Sequence, residues 1–155
     1  IAGAEKLAKD NKFKFEQWIV EYVFKGHQTK RAGDGGFDGH IVYNLHNTGT
    51  PITLRAIIEV KSGNINIGQI RAFKDSITKN GADFGIFVGF KKIENKNNIT
   101  DGMLKESNDL GFVENKDTDL ISSGRIKKMY IIRIEDLLEN KLPIELQQMA
   151  TNITY

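Results

Sequence analysis

Residues 53–61 read Thr-Leu-Arg-Ala-Ile-Ile-Glu-Val-Lys, and this stretch decides how the rest of the chain is interpreted. It is rich in β-branched residues and alternates with a period of two, which predicts a strand. The predicted apolar face comprises Leu54, Ala56, Ile58 and Val60. Glu59 and Lys61 share the opposite face, about 6.5–7 Å apart at the usual rise per residue. A carboxylate and an ammonium at that spacing can serve one phosphate.

A second predicted strand begins with another carboxylate. Residues 37–45 alternate between an apolar side with Phe37, Ile41, Tyr43 and Leu45 and a side that carries Asp38 and His40. The preceding glycine-rich turn, together with Gly39, allows close approach of a backbone, a metal or a phosphate, although an ordinary hairpin turn is the simpler interpretation. If the two strands are neighbours, Asp38, Glu59 and Lys61 converge as a metal-dependent phosphodiesterase requires.

Composition limits the class of protein. The chain has 155 residues, 39% of them hydrophobic and 27% charged, which suits one globular domain with a core. The absence of cysteine excludes disulfides and thiolate metal sites, so a metal must be held by oxygen or histidine, which favours a hard ion. No apolar run reaches the roughly 20 residues of a membrane span, and a cytoplasmic location without membrane association is expected. Because the chain begins at Ile1, we expect a piece of a longer protein.

The basic residues favour only local binding of nucleic acid. A net charge of +2 is too small to make the whole surface attractive to DNA. The basic candidates are Lys25, Lys30, Arg31, Lys61, Arg71, Lys74 and Lys79, and the predicted DNA contacts among them are Lys30, Arg31, Arg71 and Lys74. Scattered lysines are more often plain solvated surface.

Two helices are predicted to flank the site. Residues 1–11 are interpreted as a linker or the end of a preceding domain, and residues 12–155 as a single domain. An apolar stripe formed by Phe15, Trp18, Ile19, Tyr22 and Val23 predicts the first helix, which Gly26 ends. Glu16 flanks this stripe and can point toward Asp38, or it is an ordinary solvated glutamate. Asn66 is a good N-cap for a helix to about residue 80, and Gln69 either completes its capping box or contacts the attacking water or phosphate.

The remaining patterns predict a mixed sheet. Residues 25–31 are expected to form an antiparallel meander with the two strands above. Residues 83–90 are apolar on both faces and predict a buried strand reached by a helical crossover. A polar segment, a helix, a last strand and two short helices are expected at 91–98, 100–109, 126–134, 135–140 and 143–150. The fold class is therefore α/β, a three-layer core with a central mixed β-sheet flanked by helices.

The motifs in this order resemble the Mrr-type branch of the PD-(D/E)xK nucleases, which have a restriction-endonuclease-like fold. The resemblance is carried by Phe15-Glu16, by the turn at residues 33–39 and by Glu59-Val60-Lys61. Downstream motifs at 60–63, 68–71, 82–88 and 134–138 resemble the endonuclease domain joined to type III-like adenine-specific DNA methyltransferases. The chain departs from many relatives at residues 91–98, which replace a proline-threonine loop, and at Glu59, where glutamine is common.

The resemblance implies a DNA endonuclease of a bacterial restriction-modification system. Its catalytic residues would be Asp38, Glu59, Lys61, Glu16 and Gln69. Asp38, Glu59 and the carbonyl of Val60 would hold Mg²⁺, for which Mn²⁺ can substitute. Lys61 would orient or deprotonate the attacking water, and Glu16 would reach a second metal or position the first. Implied partners are double-stranded DNA, a linked or associated DNA methyltransferase, and a second copy in a homodimer.

Two other functions stay open. A catalytically silent DNA-binding or docking module attached to a methyltransferase would be expected to lack Asp38, Glu59 or Lys61, and all three are present. A metal-dependent enzyme could instead act on RNA or a nucleotide. Zinc is not expected, because His27, His40 and His46 share no ligand spacing. Tyr22, Tyr43 and Trp18 occupy core-like positions, so base stacking is not expected of them.

Overall fold

The computed structural model describes residues 2–29, 37–45, 52–113 and 125–150, together with the backbone of 153–154. The helices are α1 (Ala2–Asp10), α2 (Lys12–Gln17), α3 (Ile67–Lys79), α4 (Asp101–Asn108), α5 (Ile134–Leu138) and α6 (Ile144–Met149). The strands are β1 (His27–Gln28), β2 (Gly39–Leu45), β3 (Ile52–Lys61), β4 (Phe84–Gly89), β5 (Lys92–Ile93), β6 (Lys96–Asn97), β7 (Met129–Arg133) and β8 (Ile153–Thr154).

One mixed sheet organises these elements. Its order is β1-β2-β3-β4-β7, with β8 paired to β2. Strands β1, β2 and β3 are antiparallel, whereas β3, β4 and β7 are parallel. Helix α3 makes the crossover from β3 to β4, which parallel neighbours require. The predicted meander and crossover are therefore confirmed, while β1 is shorter than predicted and residues 91–98 form a small β5–β6 hairpin.

The sheet is covered by helices on both faces, which makes the three layers that were predicted. Alternate residues of β3, namely Leu54, Ala56, Ile58 and Val60, belong to the larger core, which also includes residues of α1, α2, α5 and α6. Ile57 points the other way and packs with Phe73 and other residues of α3. Each fully buried aliphatic side chain contributes about 1.5–3 kcal/mol, so this alternation defines which face carries Glu59 and Lys61.

The N-terminal region begins with α1, whose Ala4 and Ala8 are part of the larger core. The domain division at residue 11 stays a prediction. The predicted continuous first helix changes after Gln17 to a π-helical segment at Trp18–Val23, in which Phe24 N–H donates to the carbonyl of Ile19.

The π-helical segment also corrects the predicted apolar stripe. The wider turn rotates the later side chains relative to an α-helix. Val20 consequently becomes fully buried, and Tyr22 is 71% exposed. The core-like assignment of Tyr22 is wrong, whereas that of Tyr43 is confirmed, and Trp18 packs at the edge of the core.

The start of β2 also differs from the simple alternation. Phe37 packs against the cluster beneath α3 and not on the face of Ile41 and Tyr43, because the strand begins only at Gly39. A Cβ on Gly39 would lie 2.5 Å from Cγ1 of Val20 and 2.8 Å from the carbonyl oxygen of His27. Gly39 therefore allows β2 to pack against the π-helical segment. The turn residues 33–36, including Asp34, lie outside the described residues.

Within the described ranges, every helix is too short or too polar to cross a membrane.

Candidate active site

Asp38 makes two hydrogen bonds with the backbone of β3. Its own N–H donates to the carbonyl of Ile58 at 2.7 Å, and its Oδ2 accepts from the N–H of Val60 at 2.7 Å. A short bond from a backbone N–H to a carboxylate is among the stronger hydrogen bonds of a protein. The antiparallel pairing of β2 with β3 therefore delivers Asp38 to the end of β3 and orients its carboxylate there.

Glu59 and Lys61 project from that same end of β3. Lys61 Nζ lies 3.5 Å from Glu59 Oε1, and the two side chains are 30% and 14% exposed. Glu59 also shares a hydrogen bond with the carboxyl group of Asp38. The short separation of these three groups follows from one register: Gly39 faces Ile58, which places Asp38 next to Glu59.

The three charged groups open into one cavity of about 320 Å³. Helix α2 contributes Glu16 and Lys12, and α3 contributes Gln69 on the same helical face as Phe73 and Ser76. The complete lining is Lys12, Glu16, Phe37, Asp38, Glu59, Val60, Lys61, Gln69, Ala72, Phe73 and Ser76. All five residues predicted to be catalytic are thus brought together, along with Val60, while their roles stay predictions.

A larger cavity of about 600 Å³ lies between α1, the turn after β3 and the β5–β6 hairpin. Its lining mixes three lysines, Lys6, Lys9 and Lys92, with three carboxylates, Glu5, Asp10 and Glu94. The smaller cavity is the stronger candidate, because shifted pKa values that arise from burial and specific charge partners mark functional sites, and such shifts occur among the carboxylates of the smaller cavity.

Burial and mutual repulsion raise the pKa of both glutamates in the smaller cavity. The pKa of Glu59 rises to about 8, first because of burial and then because of the negative charge of Asp38, with Lys61 opposing the rise. The pKa of Glu16 rises to about 7 for the same two reasons, opposed by Lys12 and Lys61. The cavity therefore contains more negative charge than its lysines neutralise.

Lys12 is a site residue that sequence analysis missed. Its Nζ lies 3.9 Å from Glu16 Oε1, one helical turn away. The signal was available, since oppositely charged residues at i and i+4 are neighbours on a helix. Lys12 lies at the mouth of the cavity, where 65% of its side chain is exposed.

The donor atoms suit a hard divalent cation. Asp38 and Glu59 supply carboxylate oxygens, and the backbone of Val60 lies between Glu59 and Lys61 in the cavity wall. No set of three or more His, Asp or Glu side chains is positioned to hold a metal within the described part of the chain. Two carboxylates and a backbone carbonyl do not need such a set, and a cation would offset the repulsion that raises both glutamate pKa values.

Gln69 has the structural role that one of the two interpretations predicted. Its side-chain Oε1 accepts from the N–H of Asn66 at 3.0 Å, and Asn66 Oδ1 accepts from the N–H of Gln69 at 2.9 Å. The capping box at the start of α3 is therefore confirmed. Because Gln69 also lines the cavity, a contact with substrate stays open.

The predicted DNA contacts are placed away from the cavity or lie outside the described residues. Arg71 Nε and Lys74 Nζ each lie 2.9 Å from the carboxylate of Glu106 on α4. Neither lines the cavity. Lys30 and Arg31 lie outside the described residues.

The β5–β6 hairpin has an anchor that sequence analysis also missed. Glu135 Oε1 accepts from the N–H of Lys91 at 2.9 Å, and its Oε2 accepts from the N–H of Lys92 at 3.3 Å. The contact spans more than forty residues, so no local pattern indicates it. It holds the hairpin against the beginning of α5.

Comparison with known proteins places the chain in a family. The family model Mrr_cat, described as restriction endonuclease, matches residues 7–97, which is more than half of the chain. No curated protein matches the sequence significantly. The fold is similar to that of the DNA modification-dependent restriction endonuclease AspBHI, with a TM-score of 0.55 and 16% identity over 96% of this chain. This chain spans 34% of that protein's chain.

The matched segment includes both strands of the cavity, and the sheet topology agrees with that of a restriction endonuclease. The chain therefore belongs to the Mrr-type restriction endonuclease family and has a restriction-endonuclease-like fold.

Proposed function

We propose that this domain is a metal-dependent endonuclease that hydrolyses phosphodiester bonds of double-stranded DNA in a bacterial restriction-modification system. The observation that carries the proposal is the convergence of Asp38, Glu59 and Lys61 in one cavity of a restriction endonuclease domain. Charged groups of both signs next to oxygen donors are what hydrolysis of a phosphodiester needs. A cytoplasmic location follows from this proposed role.

Asp38, Glu59 and the carbonyl of Val60 would hold Mg²⁺, with Mn²⁺ as a substitute. The ion, when bound, polarises a phosphoryl oxygen and makes water a better nucleophile. The bond from Val60 N–H to Oδ2 of Asp38 orients this carboxylate, and Asp38 lines the cavity. Only 14% of the Glu59 side chain is exposed.

Lys61 is the proposed group that acts on the water or the developing anion. Its ammonium is held 3.5 Å from Glu59 and keeps 30% of its side chain exposed, so it can reach a phosphate in the cavity. Lysine is a compact point charge on a flexible stem, so its ammonium can follow a developing negative charge. Glu16 carries a pKa of about 7 and can hold a proton at neutral pH beside Asp38.

Arg71, Lys74, Lys30 and Arg31 remain the proposed contacts to DNA phosphates. Arg71 and Lys74 are already paired with Glu106. Each is therefore expected to contribute less to DNA affinity than an unpaired cation would. In this proposal, a linked or associated methyltransferase recognises the DNA sequence. Two copies of the domain, as a homodimer, cut the two DNA strands. AspBHI is described as modification-dependent, and this chain covers only 34% of it, which supports recognition outside the nuclease domain.

Incubation with circular and linear duplex DNA in Mg²⁺, Mn²⁺ or EDTA tests this function. The wild-type protein should cut DNA with either metal and not in EDTA, and Lys61→Ala should lose cleavage. Lys141→Ala is the matched control, since it removes an exposed lysine that also pairs with a glutamate, Glu139, but does not line the cavity. Binding without cutting would favour the silent docking module, and cleavage confined to RNA or a small phosphodiester would favour the third function.

Two substitutions separate the possible roles of Gln69. Gln69→Glu keeps a side-chain acceptor for Asn66 N–H, whereas Gln69→Ala removes the capping box and should cost about 1 kcal/mol of stability. If only the cap matters, cleavage by Gln69→Glu should equal that of the wild type. If the amide contacts substrate, both variants should lose cleavage.

A further inference from the structure

Asn98 is one of two buried polar residues in the described part of the chain, with 6% of its surface exposed. Its Oδ1 accepts from the N–H of Ile65 at 2.8 Å. Its Nδ2 donates to the carbonyl of Phe90 at 2.9 Å and to that of Gly63 at 3.3 Å. A buried amide is costly unless it is hydrogen-bonded, and this one uses both donor positions and its acceptor.

These bonds connect the segment that contains Asn98 with the segments that follow β3 and β4. Gly63 and Ile65 belong to the turn that follows Lys61, and Phe90 is the first residue after β4. The parallel ladder between β3 and β4 ends at the pair Lys61–Gly89. Asn98 therefore holds together the segments that follow β3 and β4, at the point where the backbone pairing of these strands stops.

The turn that Asn98 holds also sets the start of α3. Asn66, the N-cap of α3, directly follows Ile65, and Gln69 in the first turn lines the cavity. Asn98 is itself tied to the hairpin base, because its N–H donates to the carbonyl of Lys91 at 2.8 Å. Lys91 and Lys92 are in turn held by Glu135.

We propose that Asn98 is a positioning residue, which fixes Lys61 and the first turn of α3 relative to each other through the turn at residues 62–66. The inference rests on the proposed nuclease function for its catalytic readout. Without the amide, Ile65 N–H and the carbonyls of Gly63 and Phe90 lose this partner, and the bond from Asn66 N–H to the Gln69 side chain remains at the end of the turn. A small displacement of an oriented catalytic group lowers the rate steeply.

Asn98→Asp and Asn98→Ala test the inference against Ser107→Ala. Ser107 is the other buried polar residue, 3% exposed, and its hydroxyl donates to the carbonyl of Met129 away from the cavity. Asn98→Asp keeps the acceptor but removes both donors. At a temperature where all variants are folded by circular dichroism, both Asn98 variants should show single-turnover cleavage lowered about 10- to 100-fold. Their Kd for DNA should change less than about threefold.

The matched control decides between positioning and general destabilisation. Ser107→Ala should lower the melting temperature to a similar degree and leave the cleavage rate of folded protein unchanged. Equal cleavage by the Asn98 variants and the Ser107 variant would overturn the inference, and so would a loss explained wholly by weaker DNA binding.

Amide hydrogen exchange supplies a readout that does not depend on cleavage. The amides of residues 61–63 and of Gln69 should exchange faster in the Asn98 variants than in the wild type or in Ser107→Ala. Ile65 is left out because its N–H loses its own acceptor. If the wild-type protein cuts no DNA, the proposed function fails and exchange alone tests Asn98. Unchanged exchange at those amides would refute its role.

Discussion

Two groups of charged side chains adjoin α3 and have opposite electrostatic character. The cavity cluster consists of Glu16, Asp38, Glu59 and Lys61, and the helix-pair cluster consists of Arg71, Lys74 and Glu106. In the cavity cluster, burial and Asp38 raise the pKa of Glu59 to about 8. In the helix-pair cluster, hydrogen bonds from Lys74 and Arg71 lower the pKa of Glu106.

The difference comes from the ratio of charges and from burial. Glu106 is one carboxylate between two cations, so its ionised form is stabilised where it is. The three carboxylates of the cavity cluster outnumber the two lysines that line the same cavity, Lys12 and Lys61, and only 14% of the Glu59 side chain is exposed. A completed ion pair supports structure, whereas a surplus of buried negative charge is suited to receive a cation.

The largest expected effect is on cleavage. Asp38→Asn and Glu59→Gln should each lower the rate of Mg²⁺-dependent DNA cleavage by about 100-fold or more, because each removes a negative oxygen donor from the cavity. Asp38→Asn retains an oxygen that can accept from Val60 N–H, so the fold should persist. Gel-based cleavage assays measure the effect. Glu106→Gln should not lower the rate, and a comparable loss there would erase the distinction between the clusters.

The next effect is a pH dependence of stability without divalent ions. Folded Glu59 and Glu16 keep their protons up to pKa values of about 8 and 7, whereas the unfolded chain releases them near 4.5. The folded state therefore binds more protons between about pH 5 and 8, and the free energy of unfolding should fall over that range. In urea unfolding, the free energy of unfolding of the wild type should fall over this pH range by about 1–3 kcal/mol more than that of the double variant Glu16→Gln/Glu59→Gln.

The helix-pair cluster supplies the opposite expectation for the same experiment. Because the pKa of Glu106 is lowered in the folded state, its contribution to stability is complete above the pKa of the unfolded chain. This contribution is lost as the pH falls toward acid. Glu106→Gln should consequently keep the wild-type slope between pH 5 and 8. A slope abolished by Glu106→Gln and retained by the cavity variant would reverse the comparison.

A smaller effect is expected from metal binding. At pH 8, saturating Mg²⁺ or the inert probe Ca²⁺ should raise the melting temperature by a few degrees, equivalent to about 1–2 kcal/mol, because an ion that binds only the folded state stabilises it. Differential scanning fluorimetry measures the shift. Glu59→Gln should remove it, and Glu106→Gln should not. Equal shifts in both variants would indicate binding elsewhere on the surface.

The smallest effect belongs to the helix-pair cluster itself. Removing the ion pairs by Glu106→Gln should change the melting temperature only slightly, since 61% of the Arg71 side chain is exposed and water screens such pairs. Thermal unfolding at low and high salt checks this, with the difference from wild type shrinking as salt is added. A large, salt-independent fall in the melting temperature would mean that the cluster is a buried structural pair.

Periodic elements were the most predictable part of the fold. The alternation of β3, the fully apolar β4 and the Asn66–Gln69 capping box of α3 were each readable from neighbouring residues. The family motifs Phe15-Glu16 and Glu59-Val60-Lys61 located the candidate site before any contact was known. These features depend on residues within one or two turns of each other, where local propensity and burial agree.

Predictions failed where packing overrode the local pattern. Tyr22 fitted an α-helical stripe, yet the π-helical segment rotates it to the surface. Glu106 on α4 pairs with both Arg71 and Lys74, a contact between two helices that no local pattern indicates, and their role at DNA stays a prediction. The bonds that join Glu135 to Lys91 and Asn98 to Ile65 span 44 and 33 residues, so no short window of sequence contains either pair.

The sequence by itself determined the alternation of buried and polar faces, the caps and the family, because these depend on short-range spacing and on residue type. Only the tertiary structure decided which charges meet. Strand register placed Asp38 against Val60 and beside Glu59, and the packing of α2 and α3 enclosed them with Glu16 and Gln69. The shifted glutamate pKa values arise from burial and distance between segments far apart in the chain, quantities that only the folded chain has.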